Sequence, residues 1–460
     1  MRWNSKVGIV AVEVYIPRLS VEQTSLARSL NVDPEKLTRG LGQTRMAFVG
    51  PLEDVNSMGL SALRALLART GVDPARIGKI DFGTETLHDK SKSSKTVMTR
   101  LLRGNHNVEG VTHLNACYGG TAALFDCLAW AESAQGAGRF AVAVMADVAV
   151  YDSPAALPTG GAGAVAVLIG PDPAMLMGSL RTSFSADCYD FYKPRMESEY
   201  PTVSGAESTR LYDFSLVKCL EALPEPIEPS DYYAFHCPFA KQVEKGFLRL
   251  AAQRPQEFVT DSQAQELALR LKGKDFFALE TQTELRRVFG GAMKQKLEPT
   301  LALNRLTGNI YNGSIYLSLV SLFLEAEAAK LAGKSIFMFS YGSGVCATVF
   351  YLKFVDDPAR ISSAVDVAGV RGLFASQRFA SPEEFFKLGK QREELYTRFG
   401  FQSDPSRRQT ELRPGSFFLK SVDSDGKRQY EFYQGENTAE RRILALAENM
   451  GPVKIVSKPL

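Results

Sequence analysis

Three short stretches carry side chains able to do covalent chemistry. In LNACYGGTAALFDCLAWAE a strand-like segment ends at Asn115, Cys117 follows, and paired glycines lead into an Ala- and Leu-rich helix. A thiol placed there lies beside a helix N-terminus, whose dipole and free N–H groups favour thiolate, the nucleophilic form. Free cysteines are more often buried filler, and Cys127 and Cys346, inside apolar patterns, fit that description. In DFGTETLHDKSKSSKT, Glu85 follows an apolar strand and is flanked by Gly83, Thr84 and Thr86, which sets a carboxylate at a strand tip. Alone it would be an ordinary solvated Glu; its neighbours in the fold give it weight. In DYYAFHCPFAKQVEKGF, His236 ends an aromatic strand and Pro238 can open the next helix, on which Lys241 and Lys245 share a face. The chain has four histidines, and His88, His106 and His113 also lie near Glu85 or Cys117, so each could serve as acid or base. The aromatic strand before it and the basic helix after it single out His236.

Two turns complete the candidate set. TGNIYNGSIY puts Asn309 before a helix, and FMFSYGSGVCA makes a tight turn at Tyr341-Gly342-Ser343-Gly344, where glycines let backbone N–H groups approach a ligand. The glycines of PTGGAGAVAVLIG precede a strand and not a helix, so they do not form a dinucleotide loop. No Cys/His/Asp/Glu set has the spacing of a metal site.

The elements that must position these residues alternate between strand and helix. Residues 7–16 read as a buried strand ending at Pro17, and Ser20-Val21-Glu22-Gln23 as a capping-box helix start. Helices are expected over 56–69, 121–134, 241–252 and 314–331, and strands over 79–83, 110–114, 140–151, 163–170, 232–235, 335–340 and 345–354. The near-continuous apolar strands are those of a sheet covered on both faces. Residues 254–296 read as polar surface helices and loops, and 416–433 as a hairpin turning at 424–426. The chain is therefore α/β, with a first half over 5–171 and a second over 172–457.

At 460 residues and a formal net charge of +3, the chain has room for a large core and no electrostatic footprint for nucleic acid. Carboxylates interrupt every apolar run well before the roughly 18 residues of a membrane span, so no membrane association is expected. MRWNSKVGIV lacks the features of a secretory signal, and six cysteines without a CxxC pair fit a reducing compartment. A cytoplasmic location is expected, with a mitochondrial one left open.

NACYGGTAA, TETLHDKSKS, DFYKP, PTGG, His-x-Pro-Phe, GNIY and FSYGSG occur together and in order. In this the chain strongly resembles the 3-hydroxy-3-methylglutaryl-CoA synthases, from about Val7 to the C-terminal hairpin. The resemblance implies the thiolase fold, two related α/β halves in a five-layered αβαβα arrangement, and a homodimer. It implies acetyl-CoA and acetoacetyl-CoA as substrates and no cofactor or metal. It makes Cys117 the acylated nucleophile, Glu85 the general base and His236 the general acid. Asp89, Asp147 and Asp190 fall on motif carboxylates, while Thr159, Ser208, Lys241, Lys245, Asn309, Tyr311 and Ser343 fall on positions that contact substrate or CoA. One loop departs: the family usually carries Asn and Arg where YDSPAALPTGG has Ala155 and Leu157.

The chemistry explains the residue types. Capturing acetyl as a thioester needs a thiolate and oxyanion donors, for which the N–H groups of Cys117 and Ser343 are candidates. An acetyl methyl has no carboxylate to lose, so forming its enolate needs a base, and decarboxylating relatives of the same fold lack the Glu. An acid must then protonate the alkoxide. Two other readings share the motifs: a β-branching enzyme acting on carrier-bound β-ketoacyl chains, and a non-catalytic acyl-CoA binding protein.

Overall fold

The computed structural model describes residues 2–224, 228–397 and 399–435; residues 436–457 of the expected second half lie outside them. The first series of elements runs β1 (Trp3–Tyr15), α1 (Val55–Thr70), β2 (Ile77–Gly83), β3 (Thr112–His113), α2 (Gly119–Glu132), β4 (Phe140–Ala149) and β5 (Gly161–Gly170). The second runs β6 (Met175–Ser185), α3 (Gly205–Glu221), β7 (Tyr232–Phe235), α4 (Ala240–Gln253), α5 (Ser314–Glu325), β8 (Ser335–Gly342) and β9 (Cys346–Phe354).

These strands form a nine-stranded sheet in the order β7-β8-β9-β6-β1-β5-β4-β2-β3. In the first series β3, β2 and β4 pair in parallel, β4 meets β5 antiparallel, and β5 meets β1 antiparallel. The second series repeats this: β7 and β8 are parallel, β8 and β9 antiparallel, and β9 meets β6 antiparallel. The two units join through the antiparallel β1–β6 edge. One connectivity is therefore used twice.

Side-chain alternation along each strand sorts the core into layers. On β4, Phe140, Val142 and Val144 pack with Met58, Leu63 and Leu66 of α1, whereas Ala141, Ala143 and Met145 face Leu124 and Leu128 of α2. On β8, Ile336 and Met338 share that central layer with Ile315, Leu319 and Val320 of α5, and Phe337 and Phe339 turn outward to Leu216 of α3 and Phe247 of α4. The order is α1, sheet, α2 with α5, sheet, α3 with α4, the αβαβα arrangement expected. Fully burying such side chains contributes about 1.5–3 kcal/mol each, which is why both faces of these strands are apolar.

Local expectations fail where tertiary pairing overrides propensity. Ser20 is no helix cap: it lies in the strand Leu19–Glu22, paired with Arg45–Phe48, its hydroxyl donating to the Met46 carbonyl, and the helix begins at Gln23 without a side-chain cap bond. A capping box does form at α1, where Asp54 accepts from the Ser57 N–H at 2.9 Å and the Ser57 hydroxyl accepts from the Asp54 N–H at 2.8 Å. The strand expected over 110–114 shrinks to Thr112–His113, because the Val111 N–H turns to the Asp81 carboxylate. The helix expected over 314–331 breaks at Ala326, which is extended, before a short turn at Ala328–Leu331. The hairpin forms as expected from Ser416–Val422 and Arg428–Tyr433, and it packs on α1 through a Phe417 N–H bond to Ser61 and an Asn56 bond to the Tyr430 hydroxyl.

Candidate active site

The repeated topology brings the candidate residues to the C-terminal ends of parallel strands, where ligands gather in open α/β sheets. Glu85 follows β2 and His236 follows β7, equivalent strands of the two series. Cys117 precedes α2, and Asn309 lies on the approach to its counterpart α5. The two central helices meet tightly at their N-termini: a Cβ on Gly83 would lie 2.4 Å from the Gly120 Cα, and one on Gly120 only 2.8 Å from the Asn312 carbonyl oxygen. That explains the paired glycines after Cys117. PTGG and TGNIY likewise touch, Gly161 bridging Gly308, whose φ of +80° leaves no space for a side chain beside the Gly160 carbonyl. Ala116 (φ 39°) and Tyr311 (φ 42°) adopt left-handed backbone that non-glycine residues rarely hold, and both are at this site.

Cys117 and His236 line one cavity of about 370 Å³, together with Thr159, Ser208, Asn309, Tyr311 and Ser343. Glu85 lines an adjoining cavity of about 250 Å³, which shares Phe191 and Ser343 with the first. Between them the Cys117 thiol donates to Glu85, with Sγ 3.8 Å from Oε1. Of the other histidines, His88 is held 3.4 Å from Asp54, His113 lies 3.2 Å from Asp81 and His106 is exposed. The His236 backbone is fixed at both ends, its N–H donating to the Phe339 carbonyl at 2.7 Å and its carbonyl accepting from the Tyr212 hydroxyl at 2.8 Å, while the ring Nδ1 has no partner among the described residues.

Burial sets the electrostatics. It lifts the Glu85 carboxyl to about 8, helped by Asp147 and opposed by Lys193. It lowers His236 to about 3, so the imidazole is neutral at pH 7. The thiolate expected at the helix N-terminus is not the resting form: burial, then the charges of Glu85 and Asp147, push the Cys117 thiol well above its ordinary value. A low-dielectric pocket containing carboxylates outweighs half a helix-dipole charge.

The motif carboxylates divide. Asp147 is a fully buried hub that accepts from the Thr84 hydroxyl, the Glu85 N–H, the Thr86 hydroxyl and both the N–H and the side-chain amide of Asn312. It ties Glu85 to the α5 approach. Asp190 accepts from the Tyr341 hydroxyl and the Gly344 N–H, each at 3.1 Å, bracing the Ser343 turn. Asp89 is not brought to the site: it is exposed and caps its own turn through the N–H groups of Ser91 and Lys92. Lys241 and Lys245 do not line the cavity, although Gln242 between them does, and Lys241 is paired with Glu244 at 2.6 Å. The sequence reading missed Lys193, Tyr151, Phe191 and Asn312. DFYKP, YDSPAALPTGG and TGNIYNGSIY flagged their neighbourhoods but not these side chains. Asp81, His113 and Asp126 also converge, unseen from their spacing, but Lys79 already pairs with Asp126 at 2.9 Å and Asp81 at 3.5 Å.

Replacing Asp147 with Ala strands several buried donors at roughly 1–3 kcal/mol each. We expect a stability loss of about 3 kcal/mol or more by urea denaturation. An unchanged midpoint would remove Asp147 from this structural role.

Fold and site together define a condensing enzyme of the acyltransferase type built on the thiolase fold. The Hydroxymethylglutaryl-coenzyme A synthase N terminal family matches residues 3–174 and the corresponding C terminal family matches residues 175–433. The mitochondrial hydroxymethylglutaryl-CoA synthase of Mus musculus is 39% identical over 461 residues, covering 93% of this chain and 89% of that protein. A hydroxymethylglutaryl-CoA synthase of Zymoseptoria tritici is 36% identical over 456 residues, covering 93% and 98%. Among solved structures, MvaS in complex with 3-hydroxy-3-methylglutaryl coenzyme A superposes with a TM-score of 0.78 at 30% identity, covering 94% of this chain and 100% of that one. The chain belongs to the hydroxymethylglutaryl-CoA synthase family.

Proposed function

We propose that this enzyme loads the acetyl group of acetyl-CoA onto Cys117, condenses it with acetoacetyl-CoA, and releases hydroxymethylglutaryl-CoA by hydrolysis. The observation that carries this is the 3.8 Å approach of Cys117 Sγ to Glu85 Oε1 beside a cavity that His236 also lines. Cys117 sulfur attacks the acetyl thioester, the bond to the CoA sulfur breaks, and CoA leaves as the thiol with the cysteine proton. The N–H groups of Cys117 and Ser343 are assigned to the oxyanion. The Glu85 carboxylate then removes a methyl proton, the enolate carbon attacks the ketone of acetoacetyl-CoA, and the alkoxide takes a proton from the neutral His236 imidazole. Water finally cleaves the Cys117 thioester. Thr159, Ser208, Asn309 and Tyr311 are assigned to the acyl-pantetheine arm.

The reaction needs no cofactor beyond its CoA thioester substrates. The chain is assigned two halves, 5–171 and 172–457, a reading that the two strand series support. Val111 and Leu114, 53% and 60% exposed beside edge strand β3, support a homodimer, since exposed apolar edges invite pairing. No helix among the described residues is long and apolar enough to cross a membrane, and a cytoplasmic location is assigned, a mitochondrial one staying open.

The deciding assay compares acetoacetyl-CoA with an acetoacetyl carrier protein as acceptor. Faster turnover of the carrier substrate would move the assignment to β-branching, and absence of any covalent acetyl group would leave an acyl-CoA binding protein. Lys241 and Lys245 are assigned to CoA phosphates just outside the cavity. Replacing both with Glu should raise KM for CoA substrates on the order of tenfold with kcat little changed, the pattern of lost uniform binding. Unchanged KM values would take the lysines out of the CoA site.

A further inference from the structure

Lys193 is a charged group at this site to which the mechanism gives no task. Its Nζ is buried without a hydrogen-bond partner among the described residues, 4.9 Å from the Tyr311 ring centroid and 5.9 Å from that of Phe191. It lines the same cavity as Glu85. An ammonium withdrawn from water without a partner is costly, and contact with two aromatic faces offsets only part of that cost.

The groups acting on Glu85 come from several elements. Asp147 at the end of β4 and burial favour its neutral form; the Cys117 thiol, as hydrogen-bond donor, and Lys193 favour the carboxylate. Tyr151 and Tyr311 stand close by, and Arg195 and Glu199 also line the cavity. The thiol's contribution cannot last. Acylating Cys117 replaces its S–H with S–C, so the donor disappears just before a base is required. Lys193 then remains as the group opposing burial and Asp147.

We infer that Lys193 is a positioning residue for the condensation: its buried ammonium is the counter-charge on which Glu85 relies as a base once Cys117 carries the acetyl group. This rests on the assignment of Glu85 as that base. In the step concerned, a methyl C–H bond breaks, the proton goes to a Glu85 oxygen, and the electron pair goes to the enolate.

The test uses enzyme first acetylated with acetyl-CoA and then mixed with acetoacetyl-CoA in a single turnover, across pH from about 6 to 9, around the value that burial gives Glu85. Wild type, K193M, K193Q, K193R and E85A are compared, with acetyl incorporation measured by mass spectrometry to certify the folded site. In K193M and K193Q the acid limb should move up by about one unit or more, the usual effect of removing an opposite charge. Near pH 7 that is roughly a tenfold loss, recovered as pH rises. K193R should keep the limb near its wild-type position. A uniform loss at every pH in both neutral variants, or K193R as impaired as they are, would leave Lys193 with a packing role only. E85A judges the underlying assignment separately: it should lose condensation at all pH values, and a retained acid limb in E85A would overturn Glu85 as the base whatever Lys193 does.

Discussion

Cys117→Ala is expected to abolish both acetyl transfer to the protein and turnover, with a loss on the order of the 10⁶-fold seen when an enzyme loses its nucleophile. Cys127 and Cys237, the nearest in sequence to the proposed catalytic residues, cannot substitute. Cys127 is fully buried in α2 with its thiol directed at Asp81, and Cys237 is fully buried beyond His236. Serine should fare little better, because burial that already holds the Cys117 thiol neutral would leave a hydroxyl still less ionised. Peptide mapping after incubation with acetyl-CoA checks the result. An acetyl group found on Cys127 or Cys237 would refute the assignment.

Glu85→Ala should separate the half-reactions. Condensation should fall by about 10²–10⁴, the usual worth of a general base, while Cys117 is still acetylated. Removing the carboxylate takes away a neighbouring charge and a hydrogen bond that both raise the thiol, so the thiolate becomes easier to form in the variant. The wild-type condensation should also rise with pH: burial already lifts Glu85 to about 8 beside the free thiol, acetylation removes a bond that opposes that rise, and only the deprotonated carboxylate accepts a proton. Single-turnover kinetics on pre-acetylated enzyme measure both effects. A variant that failed to acetylate yet condensed normally would reverse the roles given to the two residues.

Several features were legible without coordinates because local chemistry dictates them. Near-continuous apolar strands such as residues 140–149 can only be satisfied by layers on both faces, and the structure buries every one of those residues. A strand, a cysteine and two glycines before a helix place the thiol at that helix end, and Cys117 stands just ahead of the helix that begins at Gly119. The ordered motifs also named the family, with the residue types that its chemistry needs.

Other features were decided only by tertiary structure. Ser20 has a good capping sequence, but a strand partner at Met46 outweighs a local cap. Asp89 and Asp147 look alike as motif acids, yet one is a solvated turn cap and the other a buried hub with five donors. The repeat of the two halves is invisible in the residues, since pairing direction and strand order constrain hydrophobic period and not side-chain identity. The charge states at the site were beyond sequence for the same reason. A helix N-terminus can be read from glycines and turn residues, but whether a thiol there ionises depends on which carboxylates and how little water surround it. Those neighbours, Glu85, Asp147 and Lys193, come from segments up to 108 residues apart in the chain, 193 minus 85, and only folding sets them around one sulfur.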